Sequence, residues 1–464
     1  MSTFTVAGRR RVSHGMRDAS SSGFALAAAV LGFFMITLDA VVVNVALPSI
    51  RADLGGGITG LQWVVDGYTL PFAALMLSAG ALSDRIGASR AFGGGIAVFT
   101  AASFACGLSP GLPVLVAARV VQGVAASAML PSSLALVRQA FPDTAESPAG
   151  GKGRARAVSL WAAGGASAVA VGPVIGGALT AAWSWRGIFF INLPVGLLAL
   201  LLLARTARSE RRPAPLDVPG QLTAVLALAA LTFAVIEGGR QGLVALAMAL
   251  VALVAFLRVE SRHPHPVVPL GLFRDRTVTV SIAAGSAFSF AFYGVIFVLS
   301  LFFQESRGQS ALTAGLMFVP MTALIPVVNI LAGKVTNRYG PRLPMIVGQL
   351  VMLAGLLALL PIGTGTPAPV LAVAMIPVAL GGALAVPPLT AATMEAVPAE
   401  RAGLAAGVLN AGRQAAGGLS VAVFGALVAD RAHFLSGMRT GLLLAAVLLT
   451  ATTAATVLAL RPRR

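Results

Sequence analysis

Asp39, Asp66 and Arg119 are ionisable residues set inside long apolar stretches of a 464-residue chain. Placing such a group in a bilayer-spanning helix costs about 2.5–3.5 kcal/mol on insertion scales, so each is a candidate for handling protons or ions. Asp39 lies roughly 13 Å of helix before Pro48, which marks the end of its stretch. A carboxyl group at that depth is placed to load and release a proton; an aspartate that only packs its helix is the alternative. Arg119 cannot shed its charge and needs an acid or a water-filled cavity, unless it snorkels to the nearer surface. An arginine drawing close to Asp39 would compete with the proton for the carboxylate, which is the chemistry of coupling. Gln122, one turn on from Arg119, shares its face. Asp66 stands about five residues inside its stretch, where water could reach it. With Asp39 it would offer a cationic compound two carboxylates, within reach of the rings of Tyr68 and Trp63. Asn44 lies roughly 140° around a helix from Asp39, so the two need not share a face.

The elements that must hold these residues follow from composition. Apolar residues make up 57% of the chain, charged residues 11%, and mean hydropathy is +0.88. A soluble domain carries about 25% charged residues, and a disordered chain is poor in apolar ones, so both classes are excluded. The single cysteine, Cys106, excludes a disulfide framework and a multi-cysteine metal site, and reads as an inert packing residue. The chain is therefore all-α and membrane-embedded. Fourteen apolar segments can be marked, centred near Phe34, Ala73, Val98, Ala126, Val169, Leu197, Ala229, Ala249, Phe292, Ala323, Leu353, Ala379, Val421 and Ala446. At about 20 residues per crossing they leave only short loops and no room for a soluble catalytic domain. A net charge of +17 could suggest nucleic acid, but its distribution argues otherwise. Of the 33 basic residues, 25 fall on the side of the termini and six on the opposite side. That alternation predicts cytoplasmic termini and no nucleic-acid partner.

An internal repeat organises the segments. Gly80, Asp84, Arg85 and Gly87 recur as Gly333, Asn337, Arg338 and Gly340 at the same internal spacing, 253 residues on. A shift of eight segments makes 1–6 equivalent to 9–14 and leaves 7 and 8 as an insertion. The predicted organisation is a cytoplasmic arm over 1–23, a six-helix bundle over 24–205, inserted helices with flanking loops over 206–276, and a second six-helix bundle over 277–464. Two parallel halves about a midplane site is a transporter plan. Asp84 and Arg85 would reach the neighbouring bundle as a cytoplasmic latch of roughly 1 kcal/mol, with a solvated turn as the alternative.

The stretch Gly80-x-Leu-x-Asp84-Arg85-x-Gly87 resembles the loop 2–3 signature of the major facilitator superfamily. Four further stretches resemble its 14-span drug:proton antiporter branch: Leu38-Asp39 through Asn44 to Pro48, Arg119 through Gln122-Gly123, Gly172-Pro173-x-x-Gly176-Gly177, and Trp185-Arg186 through Asn192 to Pro194. Asn410, Arg413 and Gln414 agree in the second half, and the layout is similar to antibiotic-export proteins of actinomycetes. The resemblance implies a proton-coupled antiporter of the cytoplasmic membrane that exports drug-like or antibiotic molecules by alternating access, with Arg119 linked to coupling. It also associates the glycine–proline signature of segment 5 with export; a generic small-residue packing seam is the alternative. Asn337 departs from the pattern by replacing an acid, and 142–153 is an extra Gly/Pro/Ser-rich stretch.

Asn44, Tyr68, Gln122, Asn329, Asn410, Arg413 and Gln414 are candidates for the substrate cavity, although such amides also bridge helices. Pro320, Pro326, Pro377, Pro387 and Pro388 are expected to kink cavity-lining helices. Met35, Met76, Met129, Met317 and Met321 suit packing better than a drug pocket. Glu237 and Arg240 read as a solvated pair, and His263 and His265, with no further His or Cys nearby, do not read as a metal site. No cofactor is expected beyond protons as the coupling ion, because both Gly-Lys pairs, at 151–152 and 333–334, fail the phosphate-loop pattern. The expected partners are a small-molecule substrate and the lipid bilayer, with the monomer as the working unit. A metabolite importer of the same fold and a passive channel remain as alternatives; an enzyme would need a nucleophile or metal cluster that the segments lack.

Overall fold

The computed structural model describes residues 5–142, 152–211 and 217–460, with the backbone alone at 5–20, 152, 399 and 400. Most of the 142–153 stretch, the side chains of the arm's arginines, Arg212 and the arginines beyond Leu460 lie outside the described residues. Fourteen helices run through the described residues, which include no strand. They are α1 (Thr5–Leu54), α2 (Gly57–Ile86), α3 (Ala88–Gly107), α4 (Leu112–Ala140), α5 (Lys152–Ala182) and α6 (Gly187–Leu203, interrupted at Ile191). There follow α7 (Val218–Glu237), α8 (Gly239–Arg262), α9 (Arg276–Leu301, continued by the π-helical turn Phe302–Ser306) and α10 (Ala311–Tyr339, in three pieces). The last four are α11 (Arg342–Leu359), α12 (Ala368–Glu395), α13 (Ala399–Leu427) and α14 (Phe434–Ala459). Eleven are long and apolar enough to cross a membrane. The remaining three are α3 and α13, diluted by glycine and polar residues, and the shorter α6.

Local chemistry sets the helix ends. Gly55, Gly56 and Gly57 all have positive φ, which lets the chain reverse from α1 into α2 within two residues. Asp217 caps α7 by accepting from the Gly220 amide at 2.7 Å, and Asp275 caps α9 through the amides of Thr277 and Val278. The pieces of α10 resume at Val319 and Ile325, each followed by a proline, Pro320 and Pro326. A proline lacks the N–H that would continue the ladder, so the breaks fall where the sequence put them. Pro377, Pro387 and Pro388 instead sit inside an unbroken α12.

Helices α1 to α6 pack on one another, as do α9 to α14, and the two groups meet chiefly through α2 with α13, α5 with α10 and α1 with α9. The inserted helices α7 and α8 pair with each other, and α7 also lies along α2 and α13. Gln221 of α7 donates to the Ala74 carbonyl at 2.7 Å and pairs with the Ser78 hydroxyl. At the other end of α7, Glu237 accepts from the Trp63 indole at 3.1 Å. The expected Glu237–Arg240 pair is therefore replaced by a tie between α7 and α2, because the Trp63 ring turns outward toward Phe233.

The two groups of helices are closed against each other at the end bearing the α1–α2 turn. Arg51 pairs with Glu305 at 2.6 Å, and Gln304 donates to the Val45 carbonyl at 2.9 Å. Gln62 donates to the Ala422 carbonyl at 2.7 Å and Thr322 to the Ala170 carbonyl at 3.0 Å. All four contacts lie in the halves of their helices away from the termini.

Candidate functional site

Asp39 of α1 and Arg119 of α4 form a fully buried ion pair in the middle of the first bundle. The guanidinium also donates to the Val64 carbonyl at 3.0 Å and to Gln122 Oε1 at 3.0 Å, and lies 4.4 Å above the Tyr68 ring. The second carboxylate oxygen of Asp39 accepts from Asn192 Nδ2 at 3.0 Å and from Gln122 Nε2 at 3.3 Å. Both amides donate in turn to Ser103 Oγ, and the Cys106 thiol donates to Gln122 Oε1. Helices α1, α2, α3, α4 and α6 thus each supply an atom to one polar cluster in an otherwise apolar bundle. Arg119 does not snorkel to the surface. Its charge is matched within the bundle, as the cost of an unpaired buried charge demands.

Tyr68 separates this cluster from a narrow cavity between the two bundles. Its hydroxyl donates to the Ile36 carbonyl at 3.0 Å, while its ring lines the cavity together with Asn44, Thr69 and Phe72. Tyr293, Gln414, Gly417 and Gly418 line the opposite wall. Asp66 stands on α2 beside Thr69 and is 0% exposed, so the alternative of a carboxylate reached by water fails. Its Oδ1 accepts from Thr69 at 3.0 Å, and its Oδ2 has no partner. Helix α13 closes over it at Gly418, where a Cβ would lie 2.9 Å from Thr69 Oγ1 and 3.3 Å from Asp66 Oδ1. The two carboxylates consequently face different surroundings, Asp39 inside one bundle and Asp66 at the seam between two. Trp63 joins neither, because of its bond to Glu237.

In the second bundle Arg413 lies beside Gln414, and its Nη1 reaches Asn410 Oδ1 at 3.4 Å. Its Nε has no partner. Asn329 is half-buried on α10 and is not among the residues lining the cavity. Gln122 also stays away from the cavity, held in the Asp39 cluster.

The two glycine-bounded turns adopt matching backbones. Gly87 and Gly340 end α2 and α10 with φ of 93° and 76°. Asp84, Arg85, Asn337 and Arg338 are exposed, and none has a hydrogen bond or ion pair to the opposite bundle among the described residues. The predicted latch is therefore open in this structure. The α2–α3 turn docks on the segment after α6 instead, through Ser89 and Ser209, whose amides and hydroxyls bond reciprocally at 3.1 and 2.9 Å. Gly80 faces Pro131, and Gly333 has open space around it. On α5, a Cβ at Gly176 would lie 2.7 Å from the Val42 carbonyl oxygen and one at Gly172 3.0 Å from Val41. Gly177 packs against Ala311 and Leu312, and Gly315 against the carbonyl of Pro173, so one small-residue face serves both α1 and α10.

Sequence reasoning missed three members of the Asp39 cluster, among them Cys106, which reads as an inert packing residue but donates its thiol to Gln122 Oε1. Asn192 was visible only as part of the Trp185–Pro194 motif, and Ser103 gave no signal, since a lone serine in an apolar segment is common. The same motif holds Trp185 and Arg186, which both bind Asp53 at the end of α1, at 2.9 and 2.5 Å.

Residues 29–421 match the sequence profile of the Major Facilitator Superfamily. The chain is 40% identical over 412 residues to the Multidrug resistance protein Stp of Mycobacterium tuberculosis, covering 87% of this chain and 75% of that one. It is 38% identical over 421 residues to the Methylenomycin A resistance protein of Streptomyces coelicolor, covering 89% and 87%. In fold it is similar to a bacterial homologue of the human lysosomal transporter Spinster in an inward-facing, unoccupied conformation, with a TM-score of 0.67, 18% identity and coverage of 95% and 97%.

Proposed function

The chain belongs to the Major Facilitator Superfamily and is a multi-pass membrane transporter rather than an enzyme, and on that premise we propose that it expels antibiotic-like molecules from the cell in exchange for protons. The observation that carries the coupling is the sealed Asp39–Arg119 pair beside a cavity shared by both bundles. Both carboxylate oxygens of Asp39 are occupied by donors from Arg119, Gln122 and Asn192, which supports this set as the one that rearranges during the cycle. Tyr68 touches both the arginine and the cavity, which supports it as the link through which an occupied cavity disturbs the pair. Asp66, unpartnered on one oxygen at the moving seam, is the second acid in this scheme. Asn44, Gln414 and Tyr293 form the polar wall for the carried molecule.

The charge bias between loops supports cytoplasmic termini in the cell membrane. The closed end is then the outer one, and the molecule is poised to receive its load from the cytoplasm. Turning outward requires breaking the Arg51–Glu305 and Gln304–Val45 contacts and closing the opposite end, where Asp84 and Arg85 would find the second bundle. Two bundles in one chain enclose a whole pathway, so the monomer suffices. No cofactor enters this cycle, and the proton gradient drives it.

The test is transport by purified protein in liposomes with an imposed pH gradient, using a panel of antibiotics and lipophilic cations. Gradient-dependent movement of at least one compound is expected, and its loss in Asp39→Asn. Equal flux with and without the gradient would remove proton coupling.

A further inference from the structure

We propose that Arg413 is an anion receptor in the transport pathway, so that the molecules this transporter carries include amphipathic carboxylic acids. The inference rests on the transporter reading and names a substrate class for it.

The chain has two arginines deep within its helices, and they are treated in opposite ways. Arg119 meets a carboxylate, two further acceptors and an aromatic face, with only its Nη2 unpartnered. Arg413 meets a single amide oxygen at a long 3.4 Å, and its Nε has no acceptor at all. No carboxylate pairs with it among the described residues, and the sequence explains why. The acids after Arg276 are Glu305, Glu395, Glu400 and Asp430, every one at a helix end, and Asp66, the acid that α13 meets across the seam at Gly418, bonds Thr69 and not Arg413. Arg413 is fourteen residues from either end of α13, roughly 21 Å of helix in each direction. A side chain cannot snorkel that far. An arginine cannot escape by losing its proton either. It is a charge waiting for a partner.

The surroundings give that partner room. Arg413 is only partly buried, its one hydrogen bond runs to Asn410 a turn earlier on the same helix, and its stem lies over Gly285, which offers no side chain to cover it. Its neighbour Gln414 and Gly417, one turn further on, both line the cavity between the bundles. Arg413 does not itself line the cavity but precedes both on α13, on the termini side, from which a molecule enters an outer-closed transporter. The planar fork of a guanidinium fits a carboxylate with two parallel hydrogen bonds, a match that a point cation or a neutral amide does not provide.

The experiment uses the full chain and a matched pair of probes, an amphipathic carboxylic acid and its neutral carboxamide, with a lipophilic cation as a third. Binding is measured by equilibrium dialysis on purified protein and transport in liposomes, for wild type, Arg413→Gln and Arg413→Lys. Wild type is expected to bind the acid at least about tenfold more tightly than the amide, the scale of a charge-assisted hydrogen bond. Arg413→Gln should weaken acid binding at least about tenfold more than it weakens binding of the amide or the cation, and Arg413→Lys should keep part of the preference. A wild type with no preference for the acid, or a preference that survives Arg413→Gln, overturns the assignment. So does an equal loss of all three probes in the folded Arg413→Lys protein, which would make the residue structural. Acid binding that depends on Arg413 without any gradient-driven flux would instead overturn the efflux reading and leave the receptor standing.

Discussion

The hydroxyl of Ser300 in α9 donates to the backbone carbonyl of Asn44 in α1 at 2.6 Å, across the boundary between the two bundles. That carbonyl is free because Pro48, four residues on, has no N–H to give it. A helix defect in one bundle is thereby repaired by the other at the closed end. Pro48→Ala would restore the internal donor and make Ser300 dispensable. We expect it to shift the balance toward the opposite state by the value of about one hydrogen bond, 0.5–1.5 kcal/mol, or roughly two- to twelvefold in population. Distances between spin labels at the ends of α1 and α9 would report the shift, and an unchanged distribution would refute it.

The Arg51–Glu305 pair closes the same end and is about 15% exposed on both side chains. Glu305→Gln should weaken closure, and so should Arg51→Gln, yet the double variant should cost less than their sum. A double-mutant cycle read from the same labels should give a coupling of about 0.5–3 kcal/mol. Strict additivity would mean the pair does not latch the two bundles.

Within the first bundle, Arg119→Gln leaves Asp39 charged, buried and short of its main partner, a loss of about 3–5 kcal/mol when such pairs are broken on one side. Asp39→Asn combined with Arg119→Gln removes both charges and should recover most of that stability. Thermal unfolding in detergent compares the two. Arg119→Lys should also fail to restore gradient-driven transport, since a single ammonium nitrogen does not reproduce the planar fork that reaches Val64 from Nε and Asp39 and Gln122 from Nη1.

Gly418 is where α13 presses on Asp66 and Thr69. Gly418→Leu has no room in the closed arrangement and should hold the bundles apart at that seam, abolishing transport while leaving membrane insertion intact. Gly412→Ala, whose added methyl would meet the Ser286 hydroxyl at 3.3 Å and Ile282 at 3.4 Å and needs a shift of only a few tenths of an ångström, serves as the milder contrast and should retain flux within about twofold. Equal activity of the two variants would show that the seam at Gly418 is not part of the cycle.

The positions of Asp39 and Arg119 could be marked as chemistry in the sequence because charge is rare in apolar segments, but their pairing could not. They stand 80 residues apart on α1 and α4, and which helices adjoin is a matter of packing. Asp66 illustrates the opposite error. Counting residues from the helix end suggested access to water, whereas the arrival of α13 at Gly418 seals it. Trp63 went wrong for a similar reason, since an inserted helix supplied Glu237 as a nearer acceptor than any substrate.

Apolar segment lengths, the loop-by-loop charge bias and the repeated glycine turns are local quantities, and from them the sequence alone determined an all-helical membrane protein of fourteen helices. Helix breaks at Pro320 and Pro326 belong to the same class, because a missing N–H acts where it is. Only the tertiary structure decided which end of the molecule is closed, which carboxylate meets an arginine and which arginine is left without one. Those outcomes depend on side chains brought together from distant helices, and in a low-dielectric interior a shift of a few ångströms separates a matched charge from an unmatched one.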